Sequence, residues 1–243
     1  MKIKDALNTI ESIVNNGITL EGVSEILKIL KYPLDMDMLE DMVLYSEYLP
    51  AAPYSDTYTT EIKYLHFLWD ALDKTPMSVI ANFAIMFRRI LAKKMFKKCG
   101  DNFIAEENVR FNLPQNIEIG DDVFINRGSY IDAKGGVKIG NSVGIGEGIT
   151  IFTHSHEEHD HAARTYGQVV IGDFAKLYSF SIILPGVTVE DQAIVAACAI
   201  VNKNVENNSL VAGIPAKRIR DRRTNEKELE ELNHIWLKNG IYQ

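Results

Sequence analysis

Four of the six histidines of this chain fall within one short stretch, Thr153-His154-Ser155-His156-Glu157-Glu158-His159-Asp160-His161. Imidazoles and carboxylates at that density could ligate a zinc-like cation. Alternatively one imidazole could act alone as a base, because a pKa near about 6.5 lets it accept a proton at neutral pH. The spacing holds no paired pattern of the CxxC kind, and a polar loop can carry histidine and acid with no metal at all, so no metal is expected. His66 stands among Tyr64, Leu65, Phe67 and Leu68 and reads as a packed core or interface histidine.

The elements that position the cluster announce themselves by period. Ile171, Leu177, Ile183, Val189, Val195 and Val201 are branched aliphatics spaced six apart. A helix repeats near 3.6 residues and a flat strand near 2, so a sustained period of six indicates a coiled parallel β-solenoid. Four residues into each hexad stand Ala175, Ser181, Val187, Ala193, Ala199 and Val205, small or β-branched residues suited to a narrow corner. One coil cannot bury its apolar face alone, so the coils must stack.

The same step runs earlier through Ile119, Ile125, Ile131 and Val137, slips two residues at Lys134-Gly135-Gly136, and resumes at Ile139, Ile145 and Ile151. Glycines there permit a bulge or a short loop. From Ile151 to Ile171 the chain is two residues longer than three hexads, so a segment must loop out. That segment carries the histidine cluster.

At 243 residues the chain can build a full core and an appended helical region. A net charge of -7 argues against nucleic acid as a partner, since phosphate binding needs a basic field. Two cysteines give no disulfide framework, and the start Met1-Lys2-Ile3-Lys4-Asp5 lacks the apolar core of a signal peptide. No apolar run reaches the length of a membrane span, so a soluble cytoplasmic protein is expected, with no transmembrane segment.

Residues 1–100 read as α-helical, with Thr19 and Thr59 or Thr60 as caps, Gly17 as a helix stop, and Pro33, Pro50 and Pro53 as punctuation. A long helix is expected over 77–98, ending at Gly100, its cations Arg88, Arg89, Lys93, Lys94, Lys97 and Lys98 forming a solvated face with salt bridges. Residues 101–214 form the solenoid. Residues 215–243 form a basic segment and a C-terminal helix over 224–237, with Asn225 as N-cap, Glu228 in the capping-box position and His234 structural.

Ile139-Gly140-Asn141-Ser142-Val143 followed by Ile151-Phe152-Thr153-His154-Ser155-His156, with Ile183-Leu184-Pro185-Gly186-Val187-Thr188-Val189 and Val211-Ala212-Gly213-Ile214-Pro215-Ala216-Lys217, resembles the hexapeptide-repeat acyltransferases. The nearest branch is the maltose and galactoside O-acetyltransferases with their glycan-acetylating relatives, and the resemblance covers about residues 100 to 221. It implies a mainly β fold, a left-handed parallel β-helix that forms a homotrimer with acetyl-CoA as co-substrate in grooves between subunits. It implies an acetyl group delivered to a hydroxyl of a sugar or glycan precursor. An ungapped match puts the catalytic base on His156, with His154 as the alternative on the same side of a strand. Asn126 matches the acceptor-positioning asparagine, and Asp132, one position from the family's acidic residue, is expected to hold the acceptor with it, or else to be a turn residue. Ser179, Ala197, Asn202 and Lys203 match the CoA groove, with Lys217 and Arg220 as cations for the nucleotide phosphates.

Two departures bear on CoA. Lys176-Leu177-Tyr178 replaces the usual Trp-Ile-Gly, so an aromatic wall must come from Tyr178, Phe180 or elsewhere, and Ala197-Cys198-Ala199 replaces Ala-Gly-Ser. Three other readings stay open at this level: an N-acetyltransferase on an amino sugar, a metal-dependent lyase like the gamma carbonic anhydrases, and a non-catalytic scaffold.

Overall fold

A computed structural model describes residues 1–48 and 57–232. Pro50, Pro53 and everything beyond 232, His234 included, lie outside the described residues.

The hexads become a three-faced parallel β-helix. On the first face Cys99, Ile119, Ile139, Ile171 and Val189 stack in register. The second stacks Ala105, Ile125, Ile145, Leu177, Val195 and Val211. The third stacks Phe111, Ile131, Ile151, Ile183 and Val201. These residues point inward, and nearly all are buried in one continuous core, because each coil presents the same aliphatic to the coil above. The small residues at the corners, Ala175, Ser181, Ala193 and Ala199, are fully enclosed.

Corner chemistry fixes the coils vertically. The N–H of Asp101 donates to the Asp121 carboxylate (2.7 Å), that of Asp121 to Asn141 Oδ1 (2.9 Å), that of Asn141 to Asp173 (2.6 Å), and that of Asp173 to Asp191 (2.8 Å). Glycine precedes four of the five rungs, at 100, 120, 140 and 172. A Cβ on Gly140 would stand 2.3 Å from the Asp173 carboxylate, so only glycine lets the ladder close.

The helical region sits on the first coils. It comprises α1 (Ile3–Asn15), α2 (Leu20–Ile29), α3 (Met36–Glu40), α4 (Thr60–Leu72) and α5 (Ala81–Met95). Thr19 and Thr59 accept from Gly22 and Ile62 as N-caps, and Gly17 adopts φ +86°. Trp69 of α4 is fully buried and donates to the Val109 carbonyl of the first coil (2.8 Å). Arg88 of α5 pairs with Asp73, both side chains 1% exposed, and Asp73 also accepts from the N–H of Asn108 (3.0 Å). A buried pair of this kind costs several kcal/mol to break from one side, about 3–5, so it clamps helices to solenoid.

Three sequence expectations change here. The helix expected over 77–98 is a 3-10 turn, Pro76–Val79, then α5, with Ile80 extended between them. Lys98–Cys99 is already the first strand of the solenoid, and Gly100 is a ladder corner rather than a helix stop. The expected cationic face changes only in part: Lys93 pairs with Asp101 (2.8 Å) and Lys97 with Glu118 (2.6 Å) as exposed salt bridges, whereas Arg88 is buried and Arg89 donates to the Phe103 carbonyl (3.0 Å).

The basic segment is also structured differently. Lys217–Asp221 is a strand that folds back antiparallel on Ser209–Ala212 and covers the last rung of the second face. Buried Arg222 then donates to the carbonyls of Phe174 (2.9 Å) and Gln192 (3.0 Å). Asn225 and Glu226 have positive φ, +50° and +61°, so Asn225 is not the extended N-cap expected of it, and the described part of the tail is a 3-10 turn, Leu229–Leu232.

Candidate active site

The long interruption is an antiparallel hairpin, with His154 opposite Tyr166, Ser155 opposite Thr165 and His156 opposite Arg164. A strand alternates its side chains, so His154 and His156 project from one side, ring centroids 5.3 Å apart. The two irregularities of the hexad rhythm meet in space at the hairpin's root. The N–H of Gly135 donates to Thr153 Oγ1 (2.7 Å), which itself donates to the Asp132 carbonyl (2.7 Å), and the N–H of Val169 donates to the Gly136 carbonyl (3.1 Å). A Cβ on Gly135 would lie 2.5 Å from the Thr153 carbonyl oxygen, which explains a glycine at the slip.

The two histidines have different surroundings. His154 places Nδ1 against the buried carboxylate of Asp132 and Nε2 3.4 Å from the ammonium of Lys134. A carboxylate only accepts and an ammonium only donates, so Nδ1 carries the proton and the Nε2 lone pair is taken. Asp132 is 1% exposed; it also faces Lys134 Nζ (3.5 Å) and the N–H groups of Thr153 and Lys134 (3.4 Å each). His156 directs Nδ1 to the main-chain carbonyl of His161 (2.7 Å), whose ring stacks on it at 4.1 Å and 13°. That carbonyl can only accept, so Nδ1 of His156 carries the donated proton, and Nε2 of its partly exposed ring is the nitrogen left to act as an acceptor.

The remaining expected residues distribute along the solenoid. Asn126 sits at the corner that opens the third face, its Oδ1 accepting from the N–H of Arg127 (2.8 Å). The strand Tyr130–Asp132 crosses that face, Asn126 preceding it in the chain and Asp132, the partner of His154, closing it. Asn202, Lys203 and Lys217 line one cavity of about 440 Å³ with Pro215 and Arg218. Ser179 and Ala197 occupy stacked corners of the neighbouring coils, and Arg220 donates to the Asp221 carbonyl (2.8 Å). Among the described residues no group of three or more His, Cys, Asp or Glu side chains converges as metal ligands would.

Sequence reasoning missed a second cavity, of about 400 Å³, where α4 meets the third face. His66 is buried beside it, Nδ1 accepting from Tyr58 (2.9 Å) and Nε2 donating to the Phe111 carbonyl (3.1 Å); burial lowers its pKa to about 4 and keeps it neutral. Asp70 lines the cavity and is raised to about 6 by burial, against the opposing pull of Arg110. No signal in the sequence joins these positions, because helix and strand meet only on folding.

No protein-family model matches the chain. It is 33% identical over 139 residues to the galactoside O-acetyltransferase of Escherichia coli (strain K12), across 55% of this chain and 68% of that protein. The chain belongs to the hexapeptide-repeat acetyltransferases. As a member of that family it is an acetyltransferase. Among solved structures, a galactoside acetyltransferase in complex with coenzyme A has a TM-score of 0.61 and 28% identity, covering 71% of this chain and 84% of that one. A hexapeptide-repeat acetyltransferase of Vibrio cholerae complexed with acetyl coenzyme A shares the fold, with a TM-score of 0.60, 24% identity and coverage of 76% and 98%.

For a hexapeptide-repeat acetyltransferase, the Lys176 departure has a definite local consequence. Its side chain is buried, donates from Nζ to the Ser142 carbonyl (2.8 Å), and has its pKa lowered to about 8, chiefly by burial and then by Arg222. The aromatics beside it, Tyr178 and Phe180, stand outside at 48% and 60% exposure, flanking Ser179. No helix among the described residues is long and apolar enough to cross a membrane.

Proposed function

We propose that the protein transfers an acetyl group from acetyl-CoA to a hydroxyl of a sugar or glycan precursor, with His156 as general base. The observation that carries this is the His156 imidazole, held at Nδ1 by the His161 carbonyl with Nε2 left to accept a proton. The likeness to a galactoside O-acetyltransferase, and to a galactoside acetyltransferase solved with coenzyme A, supports donor and acceptor class.

In this reading the acceptor hydroxyl gives its proton to Nε2 of His156 as its oxygen attacks the thioester carbonyl. The tetrahedral oxyanion, met by a backbone N–H, collapses and expels the CoA thiolate, which takes the proton back from the imidazolium. His154, whose Nε2 faces Lys134, serves as a positioning residue together with Asp132. Asn126 orients the acceptor from a neighbouring subunit of a homotrimer. The pantetheine lies along Ser179 and Ala197 beside Tyr178 and Phe180, and the nucleotide phosphates meet Lys203, Lys217 and Arg220, with Asn202 between.

The test is release of free CoA thiol from acetyl-CoA with a panel of sugars. The wild type releases thiol with at least one sugar hydroxyl acceptor and His156→Ala does not. Full turnover by His156→Ala, with His154→Ala inactive, would move the base to His154.

A further inference from the structure

The buried group at the hairpin's root has the connectivity of an acyl-transfer triad with an amine in the nucleophile's place. The Asp132 carboxylate meets Nδ1 of His154, and Nε2 of the same ring lies 3.4 Å from Nζ of Lys134. Acid, imidazole and nucleophile in that order orient a base toward the attacking atom, and the carboxylate steadies the imidazolium that forms. Here the attacking atom is a nitrogen. Its two contacts, to Nε2 and to Asp132 Oδ1 at 3.5 Å, are long beside the usual charge-assisted bond of about 2.7–2.9 Å, so Nζ is enclosed without being tightly held.

The triad also stands next to the catalytic edge of the hairpin. His154 and His156 project from the same side of one strand with ring centroids 5.3 Å apart, so a thioester brought to His156 comes close to the amine behind His154. Lys134 is buried, whereas Lys94 and Lys138 are exposed. An enclosed amine is poorly reached by a free reagent and well reached by one that the protein positions.

We propose that Lys134 is a self-acetylation site, its Nζ taking the acetyl group of bound acetyl-CoA with His154 as base and Asp132 orienting that base. The inference rests on the proposed placing of the thioester at His156 and gives the enzyme a second acceptor, one of its own side chains. In the step, the ammonium passes one proton to Nε2 of His154, the freed lone pair forms a nitrogen–carbon bond to the thioester carbonyl, and the carbon–sulfur bond breaks. The departing thiolate takes the proton of the imidazolium, and a second N–H proton passes to water, which leaves a neutral amide and free CoA thiol. Acetylation removes the charge that faces Asp132 and the donor that faces His154, so the modified enzyme is slower on its hydroxyl acceptor.

The experiment incubates the full chain with acetyl-CoA and no sugar, and follows acetylated peptides by mass spectrometry over time. Lys134 is acetylated about tenfold faster than Lys94 or Lys138, or more, and His154→Gln with an unchanged melting curve slows Lys134 alone by about 10²-fold. A small thioester without the nucleotide, S-acetyl-N-acetylcysteamine, labels the exposed lysines at the same concentration and leaves Lys134 unlabelled. Labelling of Lys134 no faster than of the exposed lysines, or equally by the small thioester, or equally in His154→Gln, would overturn the proposal. Thiol release with sugars on the same preparation tests the function separately. Turnover without Lys134 acetylation would overturn self-acetylation and leave the proposed function standing, and Lys134 acetylation without turnover on any sugar would sustain the site and overturn the sugar acceptor.

Discussion

His156 donates its Nδ1 proton to the main-chain carbonyl of His161, five residues further along the same hairpin. A backbone acceptor holds the tautomer without adding a charge, so the opposite nitrogen stays basic. Replacing His156 with alanine should therefore lower kcat/KM for thiol release by about 10²–10⁴-fold. Because the acceptor is backbone, His161→Ala loses only the stacked ring and should keep activity within about threefold, a split that steady-state kinetics on the two variants will read.

Asp132 and His154 form a different kind of pair, buried and anchored to Lys134. Asp132→Ala leaves an ammonium and an imidazole N–H without their acceptor and should cost about 3 kcal/mol of stability in urea denaturation. A double-mutant cycle with His154→Ala should give a coupling of about 1 kcal/mol or more, and additivity would show that the contact contributes nothing.

Gly135 touches the hairpin's root where the two breaks in the hexad pattern meet. In Gly135→Ala the new methyl collides with the Thr153 carbonyl, and the hairpin must shift to relieve it. Turnover should fall by about tenfold or more, since a displacement of about 1 Å at a catalytic group can cost 10²-fold. An unchanged kcat would show that the root does not position the histidines.

Lys176 makes a pH prediction with a definite sign. Its amine is lowered to about 8 in the fold from its ordinary 10.5, so between those values the unfolded chain binds the extra proton. Stability from this group therefore rises with pH across that window, and below it the buried charge is a constant cost. The stability of the wild type relative to Lys176→Met should climb from pH 8 to 10 and be flat from 6 to 7. A flat difference throughout would mean the lysine is not desolvated.

The stacked aliphatics at Ile119, Ile125 and Ile131 and from Ile171 to Val201 were legible in the sequence because an inward position in a solenoid repeats at fixed chain spacing, and burial of the same side chain is required in every coil. The hairpin was legible as an excess of residues over that spacing. Local capping at Thr19 and Thr59 was legible too, since a cap bonds only a few residues away. The tail strand Lys217–Asp221 was not, because its partner rung lies across a reversal that no period marks. Two neighbouring histidines of equal sequence merit differ because one meets a carboxylate and an ammonium from the preceding coil, Asp132 and Lys134, and the other meets a carbonyl of its own hairpin. Residue type and spacing set which side chains can act as a base. Which of them holds a free lone pair depends on through-space partners, and only the tertiary structure decides those.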